Sequence, residues 1–244
     1  MKDIMEYKRL HFQTLPSTNN FLKEKRAKLQ AFAEEKSNYI VTAEWQSGGR
    51  GTKGRSFLSE KGGVYLSALT FYEDFKAKDA FLLLAKAAVA VCETLRDYGL
   101  QPVIKWSNDV YVNDKKIAGI LIENVFSGEN ISSSVIGIGL NVMNALAPEI
   151  EKIATSMQQV TGKDFSVQEV TERLISQFKK ERTMGEYLSY IGYMSKEVLL
   201  IIGDERVHGR LIFVDNEGKL HVEINGKERC LTSAEVSFLV REGN

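Results

Sequence analysis

Val103-Ile104-Lys105-Trp106, Val110-Tyr111-Val112, Lys116 to Phe126 and Ser133 to Val142 follow one another with only short polar breaks, among them Asn113-Asp114 and Gly128-Glu129-Asn130. Each run is rich in β-branched or aromatic residues, and the breaks carry the Asn, Asp and Gly that tight turns require. Strands this close together leave no room for a crossover, so they must be antiparallel hairpins.

Working outward, Ala80 to Leu95 is apolar nearly all round, which predicts a helix buried against that sheet and capped at its C-terminus by Gly99. Further upstream, Tyr7 to Phe12 is a short first strand. Pro16-Ser17-Thr18-Asn19 then offers a helix start, with Ser17 or Thr18 as N-cap of a charged helix to about Lys36. Tyr39 to Ala43 is β-branched, and Val64 to Phe71 forms another strand after the turn Lys61-Gly62-Gly63. Downstream, Glu149 to Thr161 and Val167 to Arg182 return to helical patterning, the second introduced by Asp164 or Ser166. Residues 1–195 are therefore expected to be α+β, a mainly antiparallel sheet backed by helices. From Glu197 the pattern changes to five short strands, Glu197 to Ile202, Arg206 to Val214, Lys219 to Ile224, Glu228 to Thr232 and Glu235 to Val240, separated by turns such as Asn225-Gly226. Residues 196–244 are expected to form a small β-barrel.

Bulk properties exclude more than they assign. Thirty-two basic and thirty-two acidic residues cancel, so no global charge points to nucleic acid or an anionic membrane. Cys92 and Cys230 cannot make a disulfide framework, lack metal-ligand neighbours at a useful spacing, and read as packing residues in a reducing compartment. His11, His208 and His221 lie in strand-like segments, with no spacing that suggests a triad or a metal site. Residues 1–6 carry no apolar signal region, and the apolar stretch Ala80 to Cys92 contains Lys86 and falls short of the ~20 residues that span a bilayer. The expectation is a soluble, cytoplasmic protein.

Three segments could carry chemistry. Gln46-Ser47-Gly48-Gly49-Arg50-Gly51-Thr52-Lys53-Gly54-Arg55 packs glycines and cations directly behind a strand. Its backbone N–H groups can converge on an anion, and Arg50 and Arg55 can add bidentate contacts to phosphate or carboxylate. It matches neither the phosphate loop ending in Gly-Lys-Ser/Thr nor the dinucleotide fingerprint, and composition alone also allows a mobile surface loop. Lys105-Trp106-Ser107-Asn108-Asp109 with Lys115-Lys116-Ile117-Ala118-Gly119-Ile120 supplies an acid for Mg²⁺ or a nucleotide and a lysine for an anion, or else solvated turn residues. Gly137-Ile138-Gly139-Leu140-Asn141 permits either close approach of a ligand or tight packing against the apolar helix.

Together with Pro16-Ser17-Thr18-Asn19, these segments resemble in order and spacing the catalytic domain of biotin protein ligases. That family's pattern runs Ser-Thr-Asn, Gln-x-x-Gly-Arg-Gly-Arg-x-Gly-Arg, Lys-Trp-Pro-Asn-Asp, Lys-x-x-Gly-Ile and Gly-x-Gly-x-Asn. The resemblance covers nearly the whole chain; it implies a fold related to class II tRNA synthetase catalytic domains, followed by an SH3-like C-terminal domain. It further implies formation of biotinyl-5'-AMP from biotin and ATP with Mg²⁺, then transfer of biotin to a lysine of the biotin carboxyl carrier of acetyl-CoA carboxylase or a related carboxylase.

Carried over by position, Ser17, Thr18, Asn19, Gln46, Arg50, Gly51, Thr52, Lys116, Gly119 and Ile120 would bind biotin and its activated carboxyl. Gly49, Arg55, Phe57, Asn108, Asp109 and Asn141 would serve ATP, with Asp109 at the metal and Arg50, Lys116 and Asp109 catalytic. Three departures stand out: Thr52 for an arginine, Ser107 for a proline, and Phe57 for the tryptophan that would cover adenine. The resemblance implies the monofunctional type, without the N-terminal DNA-binding domain, because Ser17 comes so early; family members are monomers or edge-paired dimers. Lipoate and octanoate ligases of the same superfamily lack the combined Gly-Arg-Gly loop and Lys-Trp-x-Asn-Asp pairing, and a non-catalytic biotin-binding regulator would have no use for Arg50, Lys116 and Asp109.

Overall fold

The computed structural model describes residues 6–31 and 37–239. Seven strands, β1 (Tyr7–Leu15), β2 (Asn38–Gln46), β3 (Val64–Lys76), β4 (Val103–Lys105), β5 (Asp109–Val112), β6 (Lys115–Ser127) and β7 (Asn130–Leu140), form one sheet in the order β1-β2-β3-β7-β6-β5-β4. The hairpins expected from Val103 onward are antiparallel; among the described residues the one parallel ladder of this sheet is β1 on β2, where Tyr7 pairs with Asn38. Asn113 and Asp114 both take positive φ (52° and 60°), the backbone of a type I' turn.

Alternation along the strands divides the core between two faces. Ile40, Leu66, Ala68, Ile136 and Ile138 pack with α2 (Phe81–Asp97), whose Ala87, Ala88, Val91, Cys92 and Leu95 are fully buried. Val41, Leu69 and Val135 point to the other face and pack with Leu22 of α1 (Thr18–Ala31). Gly99 ends α2 at φ +81°, and the Leu100 N–H returns to the Leu95 carbonyl. Continuation of α1 to Lys36 lies outside the described residues. Because α1 covers only part of its face, the rest of that face is left for the cavity described below.

The helix expected from Glu149 does not form. Residues 148–153 make turns, and the helix α3 (Met157–Thr161) begins only after a capping box between Ser156 and Gln159. The competing partner is Lys116: its N–H donates to the Ile153 carbonyl at 2.9 Å, and its carbonyl accepts from Thr155 N–H at 2.8 Å. Those strand-like bonds remove the backbone groups a helix needs. Ser166 caps α4 (Val167–Phe178), and Thr183 with Glu186 builds a second capping box for α5 (Met184–Tyr190), a helix not expected from the sequence pattern.

The C-terminal strands are β8 (Glu197–Ile202), β9 (Glu205–Val214), β10 (Leu220–Ile224), β11 (Lys227–Leu231) and β12 (Val236–Leu239), in the order β11-β10-β9-β8-β12 and antiparallel throughout; Val240, expected to end the last strand, lies outside the described residues. The two sheets share one core, which runs from α2 to Leu200, Leu211 and Phe238. Trp106 Nε1 donates to the Gly218 carbonyl at 2.9 Å, and the Phe81 ring lies against Gly218 so closely that a Cβ there would stand 2.2 Å away. The segment between the sheets is hydrogen-bonded to both, from Gly192 N–H to the Ile104 carbonyl and from Ser195 N–H to the Leu211 carbonyl. Cys92 is a buried packing residue as expected, whereas Cys230 is exposed, because it lies on the outer face of the edge strand β11. Among the described residues, no helix is long and apolar enough to cross a membrane.

Candidate active site

Strand register builds the floor of the cavity. Asp109 of β5 pairs with Gly119 of β6, and Gly119 pairs with Gly139 of β7, so the three share one face in a row across the sheet. Lys116, three residues before Gly119, would face the opposite way in a regular strand. A bulge at Ile117, where Val110 pairs with Ala118 and Tyr111 with Lys116, turns Ile117 and Ala118 together into the core and brings Lys116 round to the cavity. Its Nζ then lies 2.7 Å from Asp109 Oδ1 and 3.1 Å from where a Cβ of Gly119 would be.

The glycines of β7 face away from α2 and are approached closely by other side chains of this chain. A Cβ at Gly137 would stand 2.2 Å from Asn19 Oδ1, and one at Gly139 would stand 2.5 Å from the Phe57 ring. Asn19 and Phe57 thus lie side by side on bare backbone.

At the Asn19 end the polar groups are fixed by one another. Gln46 Oε1 accepts from Thr18 N–H at 2.8 Å and from its hydroxyl at 3.1 Å, while Gln46 Nε2 donates to Ser59 Oγ at 2.8 Å. Ser67 Oγ lies 2.5 Å from Asn19 Oδ1 and 2.7 Å from Thr18 Oγ1, and Asn19 Nδ2 donates to Glu123 at 3.0 Å. Burial opposes the Glu123 carboxylate, but hydrogen bonds from Lys23 and Asn19 outweigh it and hold its pKa below the ordinary value. Asn19 is thereby locked in one amide orientation.

The Gly/Arg loop folds back as a hairpin: Phe57 N–H donates to the Gly49 carbonyl at 2.9 Å, and Gly51 N–H to the Arg55 carbonyl at 2.7 Å. Gly49 lies behind the loop, where a Cβ would meet the Phe57 carbonyl at 2.3 Å, and is absent from the cavity lining. Arg50 Nη1 donates to Asn20 Oδ1 at 3.2 Å. The Arg55 guanidinium rests on Thr52, with Nη2 3.0 Å from Thr52 Oγ1 and Nε 3.3 Å from its carbonyl. A cation therefore stands beside position 52 even though the residue there is threonine.

Beyond Lys116, Lys105 is enclosed by the Tyr111 and Phe238 rings, each centroid 5.2 Å from its Nζ. Burial pushes its pKa down to about 8, against the opposing pull of Asp109. Asn108 Nδ2 donates to the Ile120 carbonyl at 2.9 Å, and Asn141 Nδ2 to the Thr155 carbonyl at 3.0 Å, so both amides pin backbone around the cavity.

The cavity measures about 490 Å³. Every site residue named from the sequence lines it except Gly49. Among the lining residues without a role assigned from the sequence are Lys105, Tyr111, the wall formed by Ile150 and Ile153, and Leu239. Leu239 and the Phe238 ring arrive from the C-terminal sheet, more than a hundred residues away, and carry no local signal.

Residues 11–141 match the biotin/lipoate A/B protein ligase family. The chain is 31% identical over 216 residues to the bifunctional ligase/repressor of Bacillus subtilis, a match covering 82% of this chain and 66% of that protein, just under two thirds of its length. It is 28% identical over 218 residues to the biotin–[acetyl-CoA-carboxylase] ligase of Paracoccus denitrificans, covering 81% of this chain and 89% of that one. Among solved structures, biotin protein ligase from Aquifex aeolicus in complex with biotin and ATP superposes with a TM-score of 0.74 at 28% identity, over 95% of this chain and 98% of that chain. With the family match spanning more than half of the 244 residues and ending at Asn141 on the cavity, this chain belongs to the biotin/lipoate A/B protein ligase family.

Proposed function

We propose that the chain is an ATP-dependent biotin protein ligase, which forms biotinyl-5'-AMP and passes biotin to a lysine of a carboxylase carrier domain. The observation that carries this is the cavity itself: a locked polar end at Thr18, Asn19 and Gln46 leads along the glycine row to Lys116, Asp109 and Lys105 beneath the Arg50 and Arg55 loop. The names of the relatives agree with it. The catalytic unit is residues 1–195, with the SH3-like unit, residues 196–244, supplying Phe238 and Leu239 at its edge.

In the first step a biotin carboxylate oxygen attacks the α-phosphorus of ATP and pyrophosphate leaves. Two anions must meet, so Arg50, Arg55, Lys105 and Lys116 position and screen them, with no need for a covalent nucleophile. Ser17, Thr18, Asn19, Gln46, Gly51, Thr52, Gly119 and Ile120 hold biotin; Asn108, Asn141 and Phe57 shape the nucleotide side. Asp109 is the acidic residue among those lining the cavity. A single carboxylate suits Mg²⁺ that arrives on nucleotide phosphates and keeps waters, where it neutralises phosphate charge, and does not suit an all-protein cage. In the second step the neutral amine of the carrier lysine attacks the acyl carbon, AMP leaves and the amine's proton passes to Asp109 or to solvent, while the loop excludes water from the mixed anhydride until transfer. The carrier is the biotin carboxyl carrier domain of acetyl-CoA carboxylase or a related carboxylase, in the cytoplasm, where free Cys92 and Cys230 stay reduced.

The test is biotin-dependent exchange of labelled pyrophosphate into ATP, run beside lipoate and octanoate. Exchange with biotin is expected. Absence of exchange with biotin defeats the proposal, and exchange with lipoate in its place assigns the chain to the lipoate branch of the family.

A further inference from the structure

The C-terminal sheet brings together three donor types that lie in separate stretches of the sequence. In the β10–β11 hairpin His221 stands directly across from Cys230, and on its other side it pairs with Phe213 of β9. The Phe213 ring stacks on the imidazole, centroids 4.1 Å apart and planes 14° from parallel, which fixes the plane of the His ring. Each imidazole nitrogen faces a carboxylate: Nδ1 is 2.8 Å from Glu228 Oε1, and Nε2 is 3.2 Å from Asp215 Oδ2. Asp215 is itself oriented, because its Oδ1 accepts the N–H groups of Glu217 and Lys219, both at 2.9 Å, leaving Oδ2 aimed at His221. The ligating atoms of Asp215, His221 and Cys230 all lie within 4.8 Å of one another.

We propose that Asp215, His221 and Cys230 form a Zn²⁺ site, with Nδ1–H of His221 donating to the Glu228 carboxylate and so leaving Nε2 for the metal. Carboxylate oxygen, imidazole nitrogen and thiolate sulfur are zinc donors, with bonds of about 2.0 to 2.3 Å. The edge of a tetrahedron of that size is roughly 3.3 Å, which the Asp215–His221 separation of 3.2 Å already matches. Only the thiolate has to close in, and Cys230 is exposed and free to do so. Binding releases the thiol proton to solvent and leaves a fourth position for water. The arrangement of Glu228, His221 and metal is the carboxylate–histidine pairing by which a ligand imidazole is held in one tautomer. An imidazolium bridging two carboxylates would explain His221, Asp215 and Glu228, but it gives no role to Cys230.

The site also has a structural consequence. Asp215 begins the turn that carries Gly218 onto Trp106 and Phe81, so a metal on Asp215 braces that turn against β10 and β11.

The experiment uses the full chain and metal alone, with neither biotin nor ATP, so its outcome is independent of the ligase assignment. Equilibrium dialysis against Zn²⁺ is expected to give one ion per chain. Co²⁺ is expected to show a thiolate-to-cobalt charge-transfer band, and Zn²⁺ to protect Cys230 from a thiol reagent while buried Cys92 stays unreactive. Cys230→Ser, an exposed substitution whose fold is checked by circular dichroism, is expected to abolish the band and weaken Zn²⁺ binding by at least ~10-fold, the lower end of what loss of even an outer partner costs a metal site. Asp215→Asn is expected to weaken binding with the charge-transfer band retained at higher Co²⁺. Absence of stoichiometric Zn²⁺, absence of the band in the parent chain, or equal affinity in Cys230→Ser overturns the site.

Discussion

Lys116 Nζ lies 2.7 Å from Asp109 Oδ1, and the pair stands at the edge of the cavity with both side chains more than two-thirds buried. An anionic substrate must share this ammonium with Asp109. Lys116→Ala is expected to lower biotin-dependent pyrophosphate exchange by ~10²- to 10³-fold, the loss typical of removing a preorganised charge-stabilising donor, with the far-ultraviolet circular dichroism unchanged. Retained exchange would place the reacting carboxylate elsewhere.

Arg55 is the cation that rests on Thr52, with Lys53 beside it at the tip of the same hairpin. The Lys53→Ala, Arg55→Ala double variant is expected to lose bound biotinyl-adenylate on the order of 10-fold faster, since each charge-assisted contact contributes about 1.5 to 3 kcal/mol and these are exposed. Retention is measured by isolating the complex and following adenylate release. An unchanged half-life would show that neither cation holds the intermediate.

Gly137 and Gly139 lie on one face of the same strand, yet alanine should affect them differently. At Gly137 the new methyl meets Asn19, whose amide is tied to Ser67 and Glu123, so it disturbs a buried network. A stability loss of about 1 to 3 kcal/mol and weakened biotin binding are expected. At Gly139 the methyl meets the Phe57 ring, which can be displaced. A smaller stability loss, with weakened ATP binding and nearly intact biotin binding, is expected. Denaturation and calorimetry on both variants separate the two, and equal effects would contradict the division of the cavity.

Burial holds the Lys105 pKa near about 8, against 10.5 for a free lysine. Between these values the unfolded chain binds more protons than the folded one, so stability rises with pH across that window. Lys105→Met removes the rise: the variant is expected to gain on the parent chain below about pH 8, by at most ~3 kcal/mol, and to lose that advantage by about pH 10. kcat/KM for ATP in the parent chain is expected to fall above about pH 8 as the ammonium is lost. A stability difference that does not vary with pH would mean that Lys105 keeps its ordinary pKa.

Local chemistry made much of this molecule legible. The hairpins after Val103, the Ser17 start of α1, the Gly99 cap and the small strands around Asn225-Gly226 all depend on residues within a few positions of one another. The helical pattern from Glu149 does not decide the structure of residues 149–154, because it competes with Lys116, a partner some forty residues away. The parallel pairing of β1 with β2 likewise depends on the long connection between them. His221 and Cys230 face each other through the local Asn225-Gly226 hairpin, whereas Asp215 joins them only through the turn at residues 215–218.

The sequence by itself singled out the Gly/Arg loop, Lys105 to Asp109, Lys116 and the two glycines of β7 as short runs able to meet an anion or a ligand, each with a purely structural alternative, and it was their combined order and spacing that carried the resemblance to one nucleotide-linked chemistry. Only the tertiary structure decided that they can act together. A two-residue alternation would have put Lys116 and Gly119 on opposite faces; the bulge at Ile117 reverses that for one residue, and so delivers the ammonium to Asp109 and the cavity.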